Sequence, residues 1–166
     1  MTITAGLQQR GGVSVASLAA HGFLRGMRRD QLAELAPAAS LVEIPAGRRL
    51  FEDGGHAAHF WLIRSGRVAL DLYVPGQGWV VIDTLGLGQV VGWSWLLPPY
   101  ASAFGAVTVQ PTEAFQFDSR AVRERCAAHL ELQDELNRRF LAVAADRLRA
   151  SRARLLEHYT PPGNWP

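Results

Sequence analysis

Two histidines, His56 and His59, lie three residues apart among small residues and are the first place to look for a metal. A metal-dependent oxygenase or isomerase on a β-barrel needs two histidines one residue apart, then a carboxylate, because only i and i+2 share a strand face. The observed spacing puts the pair on opposite faces, and His21, His129 and His158 are distant in sequence. No metal and no cofactor is expected. Cys126, the single cysteine, has no flanking thiol-site motif and reads as a small buried apolar residue. Glu52-Asp53 precede Gly54-Gly55 and read as turn residues. Gly86, Gly88 and Gly92 do not form a phosphate loop, since no Lys follows and no long helix opens there. No catalytic apparatus assembles, so the chain is read as a non-enzyme.

A different chemistry centres on the segment from Gly92 to Gly105. It reads Gly92-Trp93-Ser94-Trp95-Leu96-Leu97-Pro98-Pro99-Tyr100-Ala101-Ser102-Ala103-Phe104-Gly105. Trp93 and Trp95 either plug a cavity or line an apolar small-molecule site, since concave barrel mouths take such ligands. Trp61 and Trp79 fall on expected strands and are read as core. Trp165 sits in a Pro-rich tail, either free or as an anchor for a partner.

The elements that must position these residues follow from composition and pattern. The 166 residues amount to one domain, with 48% hydrophobic and 19% charged residues, enough for a core and too little charge for disorder. All 17 basic side chains are Arg, and the net charge is only +2. A disulfide scaffold and a polybasic nucleic-acid tail are excluded. No apolar run reaches membrane-spanning length, no signal peptide stands at Met1 to Val15, and the lone cysteine fits a reducing compartment. A cytoplasmic location is expected, with no membrane contact.

Residues 1–14 read as a flexible lead. Ser14 to Met27 reads as a short helix and Asp30 as the cap of a second, which Pro37 ends. Short strands then recur between Gly and Pro turns: 41–44, 50–51, 59–63, 68–72, 79–82, 90–91, 106–109 and 114–117. About eight short strands point to a β-barrel or jelly-roll-like sandwich. The fold class is mainly β with flanking helices. The domain spans 15–159, with strands over about 40–118 and C-terminal helices over about 119–159. Ser119 to Ala127 reads as a short helix, and His129 to about Tyr159 as a long one of about 45 Å. Along it Leu141, Ala145, Leu148, Leu155 and Tyr159 recur near a 3.5-residue period. That stripe packs either on the barrel or on a second copy, as a possible homodimer helix. Residues 160–166 read as a flexible Pro-rich tail.

This order of elements and motifs resembles the cyclic-nucleotide-binding domain of the catabolite-activator (Crp/Fnr-like) family. The motifs are Ile44-Pro45-Ala46-Gly47 before Leu50-Phe51, Glu52-Asp53-Gly54, Phe60 to Gly66, Val68 to Leu72, Leu85-Gly86-Leu87-Gly88 and the strand ending at Phe117-Asp118. The string from Gly92 to Tyr100 is similar to a short, stand-alone bacterial subgroup that lacks the helix-turn-helix. That subgroup often continues with Arg and Trp, where this chain has Ala101 and Ser102.

The resemblance implies a ligand pocket in which backbone N–H groups and an Arg hold a cyclic phosphate while a Glu accepts from the ribose. Here Gly92 matches, but Trp93 stands at the Glu, Ala103 at the Arg, Phe104 at Ser/Thr and Gly105 at Ala. No Arg occurs between Arg67 and Arg120. Losing two charge-assisted contacts costs about 3–6 kcal/mol, on the order of a hundred- to ten-thousand-fold in affinity. Gly92, Trp93, Ser94, Trp95, Ala103, Phe104 and Gly105 are therefore expected to form a degenerate pocket. The expected function is a regulatory or interaction module that binds no nucleic acid and has a protein partner or a second copy as its possible target. Its alternatives are a working sensor of cyclic AMP or cyclic GMP using backbone amides alone and, more distantly, an apolar small-molecule binder.

Overall fold

The computed structural model describes residues 8–158. In chain order the elements are β1 (Gln8–Gly12), α1 (Val15–Ala19), α2 (Arg29–Leu35), β2 (Ala39–Ile44), β3 (Arg49–Phe51), β4 (His59–Ser65), β5 (Val68–Val74) and β6 (Gly78–Leu85). There follow β7 (Val90–Val91), β8 (Gly105–Thr108), β9 (Thr112–Asp118), α3 (Ser119–Ala128) and α4 (Leu130–His158). The strands form two antiparallel sheets, β1-β2-β9-β4-β7 and β3-β8-β5-β6. The chain is thus mainly β, a jelly-roll-type sandwich flanked by helices.

The inner strands β9 and β4 of the first sheet are buried on both faces. Along β4, Phe60 and Leu62 point to the helices, while Trp61 and Ile63 point into the sandwich. β9 divides in the same way, with Phe115 and Phe117 toward the helices and Ala114 inside. This is why 59–63 reads as a continuous apolar run rather than an alternating one. The helical layer adds Leu18, Leu32, Leu132, Leu136 and Phe140; the second sheet adds Val68, Leu70 and Ala106.

Side chains set the element boundaries. Ser14 caps α1 by accepting from the Ser17 N–H at 3.1 Å, and Asp118 caps α3 by accepting from the Ala121 N–H at 2.8 Å. Gly66 sits at φ +87° where a Cβ would lie 2.2 Å from the Pro111 carbonyl oxygen, so the β4–β5 turn admits only glycine.

Four expectations are corrected. The 1–14 lead is not free throughout: Gln8–Gly12 pairs antiparallel with β2, an edge strand held by backbone bonds that need no apolar alternation. The 14–27 helix is two pieces, α1 and a 3-10 turn at Gly22–Leu24, because His21 intervenes. Its Nδ1 accepts from the Phe23 N–H, and its Nε2–H donates to the Ile63 carbonyl at 2.8 Å. Asp30 is not the cap of α2 but lies in its first turn, bound by Arg28. Trp79 is not core: it is 51% exposed on the outer face of β6, opposite Tyr73.

Among the described residues no helix is long and apolar enough to cross a membrane, and no three His, Cys, Asp or Glu side chains group to hold a metal ion. Tyr159 and the 160–166 tail with Trp165 lie outside the described residues.

Candidate functional site

The 92–105 segment leaves β7 at Gly92, whose φ of +88° turns the chain across the end of β4; a Cβ there would sit 3.5 Å from the His59 carbonyl oxygen. A 3-10 turn, Ser94–Leu96, follows. The segment then returns alongside the 52–57 turn. The Ser102 N–H donates to the Gly55 carbonyl at 2.7 Å, the Gly54 N–H to the Ser102 carbonyl at 2.8 Å, and the Ala57 N–H to the Tyr100 carbonyl at 2.7 Å. His56 bridges Ala101 through its backbone. The Glu52–Gly55 turn and His56 thus serve to hold this segment, a use that no spacing rule for metals or acids would reveal.

The two tryptophans do different things. Trp95 is fully buried in the helical layer, away from the sandwich interior. Its ring stacks on Phe60 at 4.8 Å and meets the edge of Phe140 of α4 at 5.3 Å. Trp93 is half-buried and touches both cores, with its ring 6.4 Å from Phe104. Phe104 points into the sandwich, 6.0 Å from Phe51, and Phe51 stacks on Trp61 at 5.8 Å. The interior beneath the segment is therefore lined by Trp93, Phe104, Phe51, Trp61 and Leu72. Ala103 faces solvent, and Ser94 is buried.

Among the described residues, two guanidinium groups touch the segment, and both are engaged. Arg123 of α3 donates to the Trp95 carbonyl at 3.2 Å and lies 4.3 Å from the Tyr100 ring. Arg49 of β3 makes a bidentate pair with Asp71 of β5, at 2.7 and 2.8 Å, on the outer face of the second sheet. The Asp71 hydrogen bonds hold the Arg49 guanidinium above the usual arginine range, although burial opposes this. Trp79 covers that guanidinium at 4.3 Å. The pair abuts Gly105 directly: a Cβ there would lie 2.3 Å from Asp71 Oδ1 and 2.6 Å from Arg49 Nη1. The ion pair thus occupies the space that a methyl group at 105 would need.

Sequence reasoning placed the segment but missed Arg49, Asp71, Arg123, Phe60 and Phe140. The available signal was a glycine opening a strand, which often marks close approach by another group. Away from this site, His59 is held below the ordinary histidine range by burial, partly offset by Asp118. Burial pushes the Cys126 thiol up to about 11.

On α4, Phe140 and Val143 face the helical core. Leu141, Leu148 and Leu155 do not: they are 70%, 64% and 71% exposed, and Ala145 is half-buried beside them. Arg147 donates to the Val90 carbonyl, and Arg154 donates to the Ile82 carbonyl and, at 2.7 Å, to Asp83.

Known proteins share this fold. A solved cyclic nucleotide-binding domain from Methylobacillus flagellatus superimposes with a TM-score of 0.83 at 19% identity, covering 99% of this chain and 96% of that one. The Thermus thermophilus catabolite activator protein does so with a TM-score of 0.64 at 22% identity, covering 81% of this chain and 61% of that one. These likenesses concern the fold. Among curated proteins, a CRP-like cAMP-activated global transcriptional regulator of Mycobacterium tuberculosis is 25% identical over 140 residues, 84% of this chain. The chain spans 61% of the length of that relative. The family model for the cyclic nucleotide-binding domain matches residues 41–129, from β2 to the end of α3 and across the whole 92–105 segment. On that match, the chain belongs to the cyclic nucleotide-binding domain family.

Proposed function

We propose that the chain is a non-enzymatic regulatory module whose phosphate site no longer takes a cyclic nucleotide and whose internal contacts hold the segment and α4 in place of a ligand. One observation carries this reading: the 92–105 segment presents rings where a phosphate site presents charge. Phe104 packs inward on Phe51, and the half-buried Trp93 packs against both cores. Among the described residues, Arg123 and Arg49 lie against the segment, and they are committed to the Trp95 carbonyl and to Asp71. Drawing Arg49 to a ligand would strand a buried carboxylate, a cost of about 3–5 kcal/mol that adds to the missing contacts.

The coupling to α4 belongs to the same reading. Trp95 locks the 3-10 turn to Phe60 and Phe140, so the helix is fixed against the barrel by the segment's own side chain. The outward stripe of Leu141, Ala145, Leu148 and Leu155 then presents a surface for a second copy, and we read the module as a homodimer through α4.

Titration calorimetry with cyclic AMP and cyclic GMP tests the function. The expected result is no saturable heat in the micromolar range. A second reading, a working sensor holding the phosphate by backbone amides, draws support from the cAMP-activated curated relative and from the retained Gly92 turn. Micromolar or tighter binding of either nucleotide would establish it and overturn the first.

A further inference from the structure

A groove of about 780 Å³ opens between α1, the Ser65 end of β4 and the 86–88 turn, a size suited to a small organic ligand. The proposed function leaves it unused, and it is separate from the 92–105 segment. Gly92 lies over His59 and Phe60, whereas Arg64 stands about 17 Å farther along the same strand.

The walls are small residues, Ala16 and Ala20 on one side and Gly88 on the other, with the buried Phe115 ring in the lining. A Cβ at Gly22 would come within 3.7 Å of Gly88, so the two turns meet and close one side. His21 supplies a wall and no ligand atom. Its Nε2–H donates to the Ile63 carbonyl, and its Nδ1 accepts from the Phe23 N–H.

The charge of the lining is one-sided. It holds two guanidinium groups, Arg25 and Arg64, and no carboxylate. Arg64 pairs at 2.7 Å with Glu113, which is not part of the lining. It lies over the Phe115 ring, 5.0 Å from the centre, and is 39% exposed, so its outer face is open to a second ring. Arg25 is not neutralised. Its N–H donates to the Gly22 carbonyl and its own carbonyl accepts from Arg139 at 3.0 Å, which fixes the backbone. Its side chain makes no hydrogen bond or ion pair among the described residues. An uncommitted guanidinium takes a carboxylate with two parallel hydrogen bonds, and a guanidinium already lying on one ring stacks well on another.

We propose that this groove binds an aromatic carboxylate, its acid group paired with Arg25 and its ring stacked on Arg64 between the small-residue walls. This does not depend on whether the 92–105 segment binds a nucleotide.

The test uses the full 166-residue chain, labelled with 15N and titrated at neutral pH with 2-naphthoate, with 2-naphthamide as the uncharged control. The expected result is a saturable set of amide shifts, confined to residues 16–25, 64 and 87–88, with a Kd of about 1 mM or tighter. The naphthamide should bind about tenfold more weakly. Arg25→Gln should weaken naphthoate binding by about tenfold, the lower end for a charged hydrogen bond because the side chain is exposed. That side chain has no partner to lose, so the rest of the spectrum should stay in place. Shifts that do not saturate overturn the inference, as do shifts centred elsewhere, such as the exposed Tyr73 and Trp79 rings. A loss below about threefold, either for the naphthamide or in Arg25→Gln, overturns it as well.

Discussion

Replacing Gly105 by Ala tests the coupling between the 92–105 segment and the Arg49–Asp71 pair. The added methyl would stand 2.3 Å from Asp71 Oδ1 and 2.6 Å from Arg49 Nη1. Both atoms must retreat by about 1 Å to reach ordinary contact, which breaks a bidentate geometry now at 2.7 and 2.8 Å. The partners are unequal: the Arg49 side chain is 25% exposed and can swing to solvent, whereas Asp71 is 3% exposed and cannot. A buried carboxylate then loses its counter-charge, for which about 3–5 kcal/mol is typical; partial access of water to Arg49 favours the lower end, about 3 kcal/mol. Gly105 is outside the left-handed region, so backbone strain adds nothing. In a chain of this size about 3 kcal/mol lowers Tm by roughly 6–12 °C.

Urea denaturation measures the loss, and a double-mutant comparison identifies its cause. In an Arg49→Ala, Asp71→Ala background the obstructing atoms are gone, so Gly105→Ala should cost less than about 1 kcal/mol, a coupling of about 2 kcal/mol. Equal cost in both backgrounds would refute the reasoning, as would a wild-type loss below about 1 kcal/mol.

Three further predictions follow from individual residues. Burial first, then Arg64, holds the His21 imidazole below its ordinary 6.5, while the bond to the Ile63 carbonyl opposes them. The unfolded chain therefore takes up the proton first. Stability is full above about pH 7 and falls as pH drops through 6.5 toward the lower folded value, with His59 acting in the same sense; His21→Gln should flatten the Tm profile between pH 7 and 5, and an unchanged slope would contradict this. Cys126, buried and titrating at about 11, should react with a thiol reagent at pH 8 only at the rate of unfolding and stoichiometrically in denaturant; fast labelling of the native chain would show otherwise. Leu148→Glu should convert a sedimenting dimer to a monomer without loss of helicity, and a wild-type chain that is monomeric at every concentration would exclude the α4 dimer.

Much of the fold was legible because its signals are local. Gly and Pro turns punctuate the strands, and Asp118 caps α3 where the strand block ends. What was not legible depends on faces. Trp79 lies in the run Trp79-Val80-Val81-Ile82, and four consecutive apolar residues do not say which of them points outward. The β6 register also shifts opposite Leu70 and Asp71, which disturbs the alternation a reader would count. At the site, the expectation of a pocket without its charges rests on Trp93 and Ala103 alone. That Trp95 belongs to the helical core was not legible, because its partners Phe60 and Phe140 are remote in sequence and meet it only through the tertiary fold. The Arg49–Asp71 pair was hidden for the same reason, 22 residues apart on strands joined only through β8.

The first sheet serves as a party wall, and that sets where the chain can tolerate length changes. Phe60 and Trp61 are sequence neighbours that furnish opposite rooms. Inserting or deleting a single residue early in β4 would exchange the contents of both rooms at once, moving Trp61 among the helices and Leu62 into the sandwich. The β5–β6 loop at Pro75 to Gln77 borders neither room and can be lengthened freely. Indels in natural variants of this chain should therefore collect at that loop and avoid residues 59–63.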